Sequence, residues 1–112
     1  MKKEEILKEV LALAERDFDI NECFKVLTHN TPIYWSWGVE ERLGVQNKCL
    51  LIKVNGYHHK GWVGITLGWM DTFDVHIISL GGEILETIKD VYVFDLVKVI
   101  DERIEKVPAY QR

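Results

Sequence analysis

His58, Lys60 and Trp62 stand two apart within the segment Lys53 to Gly68, and in an extended strand that spacing puts all three side chains on one face. The dipeptide Asn55-Gly56 immediately upstream suits a type I′ hairpin turn, because both residues tolerate positive φ. Taken as a two-residue turn, it directs Val63, Ile65 and Leu67 towards a core and Trp62, Gly64, Thr66 and Gly68 away from it. Two glycines beside an indole leave a flat surface. A lysine, a histidine and a tryptophan on such a surface can anchor a protein partner or stack on a nucleic-acid base. The competing reading is that Trp62 is covered by a loop or helix of the same chain.

The octamer Lys60-Gly61-Trp62-Val63-Gly64-Ile65-Thr66-Leu67 resembles the RNA-recognition octamer in its basic residue and glycine. It has Gly64 where a stacking aromatic is needed, and the expected element order lacks a helix between the first two strands of that fold. Asp74 and His76 share a strand face and could form an acid-base pair or contribute to a metal site, but the same spacing is usual on a solvated strand. His58 and His59 are adjacent, so in a strand their rings diverge and cannot chelate one ion. Tyr34, Trp35 and Trp37 could line an aromatic pocket between sheet and helices, or simply fill the core. No glycine pattern suits a phosphate loop, and neither Ser36 nor Ser79 has a nucleophile-elbow context. No catalytic residue, metal ligand or cofactor is assigned.

The elements that must position these residues follow from periodicity. Ile6, Leu7, Val10, Leu11, Leu13 and Ala14 recur at helical spacing and predict a helix from Lys3 to Arg16. Asp19 suits the N-cap of a second helix, with Glu22 as capping-box partner and Ile20, Cys23, Phe24 and Leu27 as its apolar stripe; Asn30 and Pro32 end it. Alternation from Ile33 to Val39 predicts a strand, with Glu40 to Lys48 as a connection. Cys49 to Val54, Tyr57 to roughly Trp69 and Phe73 to Leu80 read as further strands, the last followed by a Gly81-Gly82 turn. Glu83 to Val93 fits either state. A hairpin across the glycines would place Lys89 opposite Asp74, which favours strand. Val93, Val97, Ile100, Ile104 and Val107 form a final helical stripe closed by Pro108.

These elements make an α+β fold: a four- or five-stranded antiparallel meander with two N-terminal helices and one C-terminal helix packed on the sheet. The 112 residues suit a single domain, and 47% apolar with 29% charged residues is a globular composition. No apolar run reaches membrane-spanning length, and Met1 to Glu5 do not open a secretory leader. Cys23 and Cys49 stand alone, as buried thiols would in the cytosol. A net charge of −4 disfavours a general phosphate-binding surface. The sequence therefore points to a cytoplasmic, non-enzymatic protein that binds a protein partner, or a second copy of itself, through the sheet face around Trp62. The alternative is a small-molecule binder or enzyme with a pocket lined by Tyr34, Trp35 and Trp37.

Overall fold

The computed structural model describes residues 8, 11–12, 17–29, 31–45, 47–56, 59–68 and 70–104. Five strands form one antiparallel sheet in the order β1-β2-β3-β4-β5: β1 (Glu41–Val45), β2 (Cys49–Asn55), β3 (Lys60–Leu67), β4 (Phe73–Ser79) and β5 (Ile84–Val91). Helix α1 (Ile20–His29) and the short α2 (Thr31–Ser36) precede the sheet, and a 3-10 turn (Val93–Asp95) leads into α3 (Leu96–Ile104). The expected α+β meander with helices at both ends is the fold observed. Of the helix expected over residues 3–16, only Lys8, Leu11 and Ala12 are described, and these are helical; the remainder, like Val107, lies outside the described residues.

Helix α1 starts as its sequence requires. The Glu22 backbone N–H donates to the Asp19 carboxylate at 3.1 Å, capping the helix, and Cys23 and Leu27 turn inward. The strand expected over Ile33 to Val39 is absent: residues 31–36 are helical, and the first strand is the charged segment Glu41–Val45. Proline is tolerated in a first helical turn, where its missing N–H would go unused. Gly38 then stops the helix at φ 61°, its N–H donating to the Trp35 carbonyl at 3.1 Å. A Cβ at Gly38 would lie 2.7 Å from the Asn55 carbonyl oxygen, so only glycine lets the chain pass this close to the end of β2. Because the segment is helical, Tyr34 and Trp37 share the inner side and are buried, whereas Trp35 faces out with 67% exposure. Glu41 and Arg42 suit an edge strand, which charges protect from pairing with other chains.

Asn55 pairs with Lys60, so Asn55-Gly56 is not a two-residue turn; Asn55 ends β2, and residues 56–59 form the connection. The Gly56 N–H donates to the His59 carbonyl at 3.0 Å, and the His59 ring Nε2–H reaches the carbonyls of Ile78 at 3.1 Å and Trp62 at 3.3 Å. The loop differs from the expected one by an even number of residues, so the facing of β3 is unchanged. The segment Glu83 to Val93 contains strand β5, as expected. Its register sets Phe73 against Val91 and Val75 against Ile88, which leaves Lys89 and Asp90 together opposite Asp74 in a bulge. Asp90 takes φ 60° there, and its N–H donates to Asp74 at 3.3 Å.

The main core lies between one sheet face and the helices. Leu50, Ile52, Val54, Val63, Ile65, Val75 and Ile77 meet Leu27, Tyr34, Trp37, Leu96, Ile100 and Ile104. The inner stripe of α3 is therefore Leu96, Ile100 and Ile104, one position displaced from the expected stripe at its start, because the 3-10 turn precedes the helix. A second cluster of Cys49, Leu51, Trp62 and Ile78 occupies the opposite sheet face, with Leu11, Leu43 and Ile84 packed against it.

Candidate binding site

Trp62 is 5% exposed, so the sheet face around it is not the open surface expected. Its indole lies beneath apolar neighbours that include Leu11, and the near-continuous buried run from Gly61 to Leu67 is what a strand covered on both faces carries. Lys60 is exposed, but the tryptophan meant to work beside it is not; His58 lies outside the described residues.

Further along the same face the polar residues are also buried. His76 bridges β3 and β5: its Nε2 lies 2.9 Å from the Thr66 hydroxyl and its Nδ1 3.0 Å from the Thr87 hydroxyl. One nitrogen donates and the other accepts, as suits a neutral ring. Desolvation by burial holds the His76 pKa below its ordinary value; the nearby Asp74 charge acts against this, while Lys89 adds to it. With both nitrogens engaged and the side chain buried, this row joins three strands and does not present a free acid-base pair. Among the described residues no group of three or more His, Cys, Asp or Glu side chains is arranged to hold a metal ion.

The aromatic residues before β1 are likewise divided. Tyr34 packs edge-on against Phe24 and Trp37, with ring centroids 5.8 Å apart in both cases. Arg42 stacks over Phe24 at 3.8 Å. Burial raises the Tyr34 pKa, against the lowering effect of Arg42. Trp37 is fully buried, and its indole N–H donates to Asp101 of α3 at 3.2 Å. Tyr34 and Trp37 are thus core residues, and only Trp35 reaches solvent. None of the three is among the residues that line the groove between α1 and α3.

Among the described residues a concave surface lies between α1 and α3. A groove of about 680 Å³ has Val26 and Ile33 on one wall and Val93, Phe94 and Val97 on the other, with Glu22, Lys25, His29, Lys98 and Asp101 around them. It follows from the two helical registers. Residues 22, 25, 26 and 29 recur on one side of α1, next to the side that carries Cys23 and Leu27 into the core. Residues 94, 97, 98 and 101 do the same at the start of α3 and in the turn before it. Phe94 is 80% exposed and stacks in parallel with exposed Tyr92, their centroids 5.6 Å apart. Sequence reasoning missed this site, yet a signal was present: Val26, Tyr92 and Phe94 are apolar residues in excess of the stripes that bury α1 and α3.

No protein-family model, curated protein or solved structure matches the chain.

Proposed function

We propose that this chain is a single-domain, non-catalytic binding protein that takes a small apolar molecule in the groove between α1 and α3, with Phe94 folding over it. One observation carries this reading: an apolar-walled concavity of about 680 Å³ stands beside a phenylalanine left 80% in water. That volume lies within the range of about 300–1,000 Å³ usual for ligand sites. Covering exposed apolar surface gains about 25 cal/mol per Å². Two buried cysteines without a disulfide support a reducing compartment such as the cytosol.

Titration with the uncharged dye Nile red tests the reading. Saturable fluorescence enhancement is expected in the wild type and in Trp35→Ala, and its loss in a folded Val97→Glu variant. Enhancement that survives Val97→Glu, or none in the wild type, overturns it.

The stacked and exposed pair Tyr92 and Phe94 favours a second reading, in which the same lip anchors a protein partner, most simply a second copy of the chain. Sedimentation across a concentration series tests the dimer. A concentration-dependent dimer lost in Phe94→Glu would support it, and a monomer throughout would dismiss it.

A further inference from the structure

The charged groups around the groove differ in how far they are already engaged. Glu22 is bound by Lys25 at 3.3 Å across one turn of α1. Asp101, though it lines the groove, is buried and accepts the Trp37 indole N–H at 3.2 Å. Lys98 is exposed, stands one residue from Val97 of the apolar wall, and has no ion-pair partner among the described residues. Of the acidic residues on its other side, Glu102 contacts Arg103 at 3.5 Å, and no ion pair joins Lys98 to Asp95. Both acidic groups of the groove therefore have internal partners, while Lys98, an exposed cation at its wall, has no ion pair among the described residues.

We infer that the groove takes a monoanionic amphiphile of the carboxylate class, its apolar chain lying along Val26, Ile33, Val97 and Phe94 and its headgroup meeting the Lys98 ammonium. The inference rests on the proposed groove site and adds the charge of the ligand to it. An ammonium forms a favourable pair with a carboxylate where the desolvated wall keeps the two close, and the apolar chain supplies most of the affinity. A cationic headgroup at the same place would face Lys98 and be repelled.

Three ligands with one chain length separate the parts of the argument: decanoate, decanol and decylamine, titrated into the full chain below their aggregation concentrations and followed by amide chemical shifts. Decanoate should bind about two- to fivefold tighter than decanol, the scale of a partly exposed ion pair, and decylamine weaker than either. Lys98→Met should remove the preference for decanoate over decanol, and added salt should narrow it in the wild type. Equal binding of decanoate and decanol, preference for decylamine, or a preference that persists in Lys98→Met overturns the inference and leaves the groove reading standing. If none of the three shifts the groove residues, both fall together.

Discussion

Trp37→Phe should destabilise the protein while the neighbouring Trp35→Phe should not. The two indoles stand two residues apart, and alternation treats them alike; the helix separates them. Trp37 is fully buried and donates its N–H to Asp101 at 3.2 Å, whereas Trp35 is 67% exposed. Phenylalanine at position 37 retains an aromatic ring but removes the donor. A hydrogen bond to a charged group contributes about 1.5–3 kcal/mol. The smaller ring adds a cavity term, for an expected loss of about 2–4 kcal/mol. Against a total stability on the order of 5–15 kcal/mol, that is a large fraction. Trp35→Phe should fall within about 0.5 kcal/mol of wild type, as surface substitutions do. Urea unfolding followed by far-ultraviolet circular dichroism measures both, with an unchanged m-value confirming that the midpoint shift reports stability. A cycle with Asp101→Leu should give a coupling of about 1 kcal/mol or more. Equal effects of the two tryptophan substitutions, or the reverse order, would refute the helical placement of Thr31–Ser36 and the bond across to α3.

Other outcomes follow from buried groups. Trp62→Ala should cost about 3–5 kcal/mol by chemical denaturation, since it empties the centre of the second cluster; a loss below about 1 kcal/mol would mean that the indole is exposed. Burial pushes the Cys23 and Cys49 thiols up to about 12, so an aromatic disulfide reagent at pH 8 should label neither cysteine in the native protein and both in denaturant. The folded His76 pKa is lowered from 6.5, so the unfolded chain takes up that proton first as pH falls. The contribution of the neutral ring to stability is therefore present above about pH 6.5 and is lost as pH falls from there towards the folded value. Unfolding free energies at pH 7.5 and 5.5 should show this decline, and His76→Gln should flatten it.

The legible parts of the sequence were those in which one period runs long enough to exclude the other. Strands β2, β3 and β4 carry β-rich runs bounded by turn residues, and α1 carries both a capping pair and a stripe. Residues 33–39 failed because the segment also holds Tyr34 and Trp37 three apart, the spacing that buries one side of a short helix and its closing turn. The helix is favoured by Gly38, which ends it, and by the burial of Tyr34 against Phe24 and of Trp37 against Asp101 of α3. β1 was hidden for the opposite reason: an edge strand can carry Glu41 and Arg42 and looks like a loop. The candidate site was less legible than the fold. A groove between helices belongs to neither helix, and only their packing places Val26 across from Phe94.

Every strand pair in the sheet joins neighbours in sequence, so the meander can assemble by adding one hairpin at a time, with little loop entropy to overcome at any step. The bond between Trp37 and Asp101 is different: its ends are 64 residues apart. It can form only once the meander has brought α3 back against the segment that precedes β1. The groove lies along this same closure, between α1, which precedes the meander, and α3, which follows it. A molecule held there joins the helices on either side of the meander, so its binding energy resists their separation and should slow global unfolding more than local fraying of any strand.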